Sequence, residues 1–172
     1  VFTSPRVFHN PRIPKCYDVL LAGAQAPDFY PVRSKMLKAF SASNLKLCCP
    51  RHPGYSQLES VSPPSTYQMD LAASRISAFC TSKYHFAPLK LVEAMATGTI
   101  ALCDAFDGMK HLGMEPDKHF ILADGTNCVE KARRWLKDEN LYRETTDAAY
   151  ALFRSRHTLE IRLKEMAEQI PA

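Results

Sequence analysis

Tyr84-His-Phe-Ala-Pro-Leu-Lys-Leu-Val-Glu-Ala-Met-Ala-Thr-Gly-Thr-Ile-Ala-Leu-Cys103 reads as loop, short helix, tight turn and buried strand in immediate succession. Pro88 stands where a first helical turn tolerates proline, whose missing N–H would be unpaired there anyway. From about Pro88 to Thr97 the spacing predicts a helix. Leu89, Val92, Met95 and Ala96 recur at intervals of three and four and form an apolar face, with Lys90, Glu93 and Thr97 along the stripe beside it. Gly98, free to take a positive φ, ends the helix. Thr99 to Cys103 is an apolar run without polar alternation, the pattern of a strand covered on both faces in a parallel sheet. The loop before the helix would present backbone N–H groups and a positive dipole end at the carboxyl edge of that sheet, which suits an anion such as a diphosphate.

Outward from this segment the pattern alternates strand and helix. Strands are expected at Tyr17–Ala22, Leu45–Cys49, Arg75–Phe79 and His119–Ala123, and helices at Pro31–Ser41 and Tyr67–Ser74. Pro50 to Ser65, with four prolines, a glycine and four serines, reads as a loop at the carboxyl edge. Three helices follow, at Thr126–Leu136, Glu139–Arg154 and Thr158–Ile170, with Thr126 or Asn127 and Thr158 as caps. Together these predict an α/β fold: a Rossmann-like parallel sheet of about five strands, helices on both faces and a helical C-terminal tail. In such a sheet ligands gather beyond the carboxyl ends of the strands, near the switch in strand order. That rule collects the loop after Gly23, Arg51 and His52, Thr81 to Ala87, and Asp104 with Phe106.

With 172 residues and 46% apolar content the chain is long enough for one substantial core. Residues 17–172 are expected to form it. Charge is uneven: the first 60 residues hold eight Lys or Arg against three acids, a net of +5, and the remainder fourteen against fifteen. Residues 1–16 carry Arg6, Arg12 and Lys15 with three prolines and no acid, and read as an extended basic arm, an interdomain linker or a strap along a neighbour. No run of about 18 apolar residues and no signal-peptide core is seen, so a cytoplasmic chain without a membrane span is expected. Six cysteines without C-x-x-C spacing are expected to be buried thiols, and the scattered histidines lack zinc spacing, so no metal site is expected. Neither G-x-G-x-x-G, nor a P-loop, nor a G-x-S-x-G elbow occurs. Nucleic acid is an unfavoured partner, since a parallel core accounts for the tyrosines among the basic residues.

The quoted segment resembles the C-terminal donor-binding domain of GT-B glycosyltransferases, in which two acids are separated by seven residues and the second begins Glu-Ala-Met-Ala-x-Gly-Thr-Pro. Here Glu93-Ala-Met-Ala-Thr-Gly-Thr99 matches, Ile100 replaces the proline, and His85 stands where the first acid is expected. His52-Pro-Gly-Tyr55 and Lys90 are similar to the group 1, CgeB-like branch. The resemblance spans roughly residues 17–165 and implies one half of a two-domain enzyme of hexosyltransferase type, retaining and metal-independent. Its substrate would be a nucleotide-sugar, with no separate cofactor, and its partner an N-terminal acceptor domain or subunit. By the same resemblance Glu93 holds the ribose hydroxyls, Lys90 neutralises the diphosphate, the backbone at Phe86 and Ala87 cradles phosphate oxygens, and His85 takes the catalytic place. Arg51 is the first choice for a phosphate cation and Arg33 the second, because a guanidinium offers a planar fork for bidentate contacts. The alternative is a non-catalytic, glycosyltransferase-like scaffold or adaptor held by its basic arm.

Overall fold

In the computed structural model, residues 1–50, 52 and 64–169 are described. Five strands form one sheet: β1 (Tyr17–Leu20), β2 (Leu47–Cys48), β3 (Ser74–Ala78), β4 (Ile100–Cys103) and β5 (Ile121–Leu122). All are parallel, in the order β2-β1-β3-β4-β5. Side chains alternate between faces along each strand. Val19, Ile76, Ile100, Leu102 and Ile121 face one core, while Leu20, Phe79, Ala101, Cys103 and Phe120 face the other.

Helices cover both faces, as the buried strands require. On the first lie α1 (Pro31–Ser41), with Met36 and Phe40 inward, and α4 (Cys128–Lys137), with Ala132 and Trp135 inward. On the second lie α2 (Pro64–Ala72) and α3 (Lys90–Thr97). The next helix, α5 (Glu139–Leu152), contributes Tyr142 to the first core and Ala149 to the second. Trp135 Nε1 donates to Thr145 Oγ1 at 3.0 Å, which satisfies the indole N–H in the α4–α5 contact.

The element order follows the sequence pattern, with local differences. Helix α2 opens at Pro64, three residues before the expected Tyr67, because proline is pre-set for a first helical position. Helix α3 is buried nearly all round, Leu91 and Ala94 included, because sheet, α2 and α5 surround it. Leu89 precedes its first turn and is exposed. Asn127 makes no side-chain cap; instead Asp124 Oδ1 accepts from the Thr126 and Asn127 amides at 2.7 and 3.4 Å. Thr158 does cap α6 (Leu159–Glu168), accepting from the Ile161 amide at 3.4 Å. Between α5 and α6, Phe153–His157 form a π-helical turn, of which the expected helix Glu139–Arg154 took in only the first two residues. All six cysteines are unpaired, but Cys16 and Cys49 are exposed and Cys48 is half-buried.

Residues 1–16 run along the second core without regular structure except one bridge. Thr3 pairs with Thr158, and Phe8 is buried among Leu91, Met95 and their neighbours. Lys15 Nζ donates to Ser74 O, Gly98 O and Thr99 Oγ1 at 2.9, 3.2 and 3.1 Å. Among the described residues no helix is long and apolar enough to cross a membrane.

Candidate functional site

The chain leaves β1 toward β2 on one side and returns to β3 on the other, so the order switches between β1 and β3. Their carboxyl ends diverge there, the place where an open parallel sheet leaves a crevice. A cleft of about 350 Å³ lies at this point, lined by Tyr30 and Arg33 from the first βα unit and by Cys80, Phe86, Lys90 and Glu93 from the third. Asp104 shapes its wall by holding Thr81, whose amide and hydroxyl donate to the carboxylate at 2.7 and 2.8 Å.

Arg33 is only 4% exposed. Its Nη1 donates to Ala24 O at 2.9 Å and its Nη2 to Cys80 O at 3.4 Å, and its Cζ lies 4.2 Å from the centre of the Tyr30 ring. Both acceptors are neutral, so the guanidinium charge stays uncompensated by them. Nε is buried and has no hydrogen-bond partner among the described residues, and the same holds for Gln25 Oε1. An unpaired buried donor on a cation costs more than a neutral one. Gly23 makes room for this group: with φ at 120°, a Cβ there would stand 2.6 Å from Nη1. A side chain at 23 would push the guanidinium from its seat.

On the facing side stand Lys90 and Glu93. Leu91 and Val92 donate the first helical bonds, to Pro88 O and Leu89 O at 3.2 and 3.1 Å, so the amides of Leu89 and Lys90 precede the helical ladder. Glu93 is 7% exposed, and the Tyr67 hydroxyl donates to its Oε2 at 3.1 Å. Lys90 Nζ sits 4.5 Å from the centre of the Tyr67 ring. Burial pushes the Glu93 carboxyl above its ordinary value, opposed by the Lys90 charge and the Tyr67 bond. Burial pulls the Lys90 ammonium down, opposed by Glu93 and assisted by Arg33. Two cations thus face one carboxylate in a low-dielectric wall, an excess of positive charge that favours an anion.

Of the residues expected from sequence, the cleft brings together Arg33, Phe86, Ala87, Lys90 and Glu93. Arg51 lies outside the described residues. His85 is exposed and does not line the cleft; it takes a left-handed backbone at φ 55°, accepts from the Asp107 amide at 2.9 Å and directly precedes Phe86. Tyr67 escaped the sequence reading, since it passes for a core aromatic until α2 packs on α3; Gln25 lies in the loop after Gly23 that the sequence reading collected without singling it out.

In sequence, a family model described as glycosyl transferase-like matches residues 31–168. No curated protein matches the chain. Among solved structures, a sucrose-phosphate synthase from Thermosynechococcus elongatus superposes at a TM-score of 0.64 with 14% identity, over 98% of this chain and 51% of that one. Anabaena HepE, solved in complex with UDP-glucose, gives 0.68 and 15% over 89% and 48%. The C-terminal domain of the group 1 glycosyl transferase LpcC from Francisella tularensis gives 0.59 and 13% over 91% and 98%. The chain therefore spans about half the length of the first and of HepE, and nearly all of the isolated domain. By the family model and the half-GT-B fold together, it belongs to the glycosyl transferase-like family.

Proposed function

We propose that this chain is the donor-binding half of a glycosyltransferase and takes a nucleotide-sugar through its diphosphate. The observation that carries the reading is the buried Arg33 guanidinium, its Nε unpartnered among the described residues, across the cleft from Lys90 and Glu93. Arg33 and Lys90 meet the phosphate charge, and the α3 amides at Leu89 and Lys90 add a fixed positive end. Glu93 offers its second oxygen to the ribose hydroxyls. The backbone at Phe86 and Ala87 borders the phosphates, and Arg51 is a further cation for them. His85, exposed just before the cleft-lining Phe86, takes the catalytic place as a hydroxyl partner of the transferred sugar from outside the cleft's lining. With cations already in place to stabilise the leaving diphosphate, the transfer proceeds without a divalent ion, and with retention as the resemblance of the Glu93 segment implies.

The test is thermal unfolding with UDP-glucose, GDP-mannose and their free diphosphates. A ligand that binds only the folded state adds roughly 2.7 kcal/mol at about a hundredfold excess over Kd. A rise in Tm with one nucleotide series is expected, lost in Glu93→Ala and in Arg33→Met. No rise with any of them would leave the scaffold role in its place.

A further inference from the structure

We propose that Tyr67 is a positioning residue of this site, its hydroxyl fixing the Glu93 carboxylate and its ring face seating the Lys90 ammonium. The inference rests on the donor reading and names what holds its two charged groups apart. Lys90 and Glu93 lie three residues apart on α3, close enough to pair with each other. Tyr67 takes up both instead: the hydroxyl reaches Glu93 Oε2 at 3.1 Å, and the ring centre lies 4.5 Å from Lys90 Nζ. Glu93 then keeps Oε1 as an acceptor, and Lys90 keeps its N–H donors, because a cation over a ring face uses no lone pair.

The ring itself is held from the other side. Phe8 meets it edge to face, with centroids 6.1 Å apart and planes at 70°. Burial and the adjacent carboxylate raise the phenol far above its ordinary value, so it remains a hydrogen-bond donor throughout the neutral range. Tyr67 belongs to α2 while both charged groups belong to α3, so the packing of these two helices carries the geometry.

Tyr67→Phe and Tyr67→Leu separate the two contacts. The Glu93 carboxyl is followed by carboxyl-carbon NMR in the ligand-free chain, assigned with Glu93→Gln, and binding of UDP, GDP and inorganic pyrophosphate by calorimetry across pH. In Tyr67→Phe the Glu93 pKa rises, nucleoside diphosphate binding weakens roughly tenfold with its acid limb moved to higher pH, and pyrophosphate binding is unchanged. Tyr67→Leu also weakens pyrophosphate, by roughly three- to fivefold. If Tyr67→Phe shows the wild-type Glu93 titration and nucleotide affinity, the role is refuted while the donor reading stands. If the wild-type chain binds none of the three probes, both fall. Tyr67→Phe keeps the ring packing and decides the matter even if Tyr67→Leu fails to fold.

Discussion

A carboxylate buried beside a half-buried ammonium ties folding to pH, and Glu93 gives that link a definite sign. Its folded-state pKa lies above the ordinary 4.5 because burial disfavours the charged form. The contribution of such a group is complete below its unfolded pKa and is lost as pH rises through the folded value. Lys90 has the opposite sign: its ammonium is pulled below 10.5, so its contribution is complete above that value and lost as pH falls through the folded one. At neutral pH both groups are therefore a cost to folding, borne in the lining of the cleft. Glu93→Gln is expected to flatten the dependence of Tm on pH from 4.5 upward. Parallel curves for variant and wild type would show that burial of this carboxyl does not matter. Lys90 and Glu93 were named from the chain because the segment around Glu93-Ala-Met-Ala-Thr-Gly-Thr99 resembles the donor-binding motif, and one turn of one helix carries both. Arg33 was legible only as a second choice, since a lone arginine on α1 carries no local sign that its nitrogens reach carbonyls at 24 and 80.

At the scale of the element, α3 is the piece on which the site depends, and its end is fixed by one residue. Gly98 holds φ at 67°, and its amide and that of Thr99 bond back to Met95 O and Ala94 O at 3.4 and 3.0 Å. The left-handed conformation favours glycine, and a Cβ here would also meet Asn10 Nδ2 at 2.7 Å. Gly98→Ala should cost about 1 kcal/mol by denaturant unfolding, with the slope unchanged. A neutral result would mean that Asn10 moves aside and the αL strain is small. The expected start of α3 at Pro88 falls two residues before its first helical position, Lys90, while its apolar spacing and closing glycine were written locally. Its burial on every side was not, because periodicity assigns one inward face to a helix and cannot count the elements that will pack on the others.

For the whole molecule, the second core is completed by the segment before the first strand. Phe8 is 8% exposed, belongs to the second core and meets the Tyr67 ring of α2 edge to face. Phe8→Ala should remove about 3 kcal/mol of stability, measured by urea unfolding, because the cavity adds to the lost transfer energy. A loss of less than about 0.5 kcal/mol would place this segment outside the cooperative unit. Composition marks residues 1–16 as basic and proline-rich, and nothing local shows that Phe8 is drawn inward.

The sequence alone determined the order of strands and helices, the parallel sheet and the Lys90–Glu93 turn, since each depends on neighbours within a few residues, where spacing and backbone preference act. Tertiary structure alone decided that Arg33, Lys90 and Glu93 line one cleft and that Tyr67 backs the latter two. They come from three helices, and only closure of the sheet at the β1–β3 switch, with α2 laid on α3, brings charges so distant in the chain into one low-dielectric cleft.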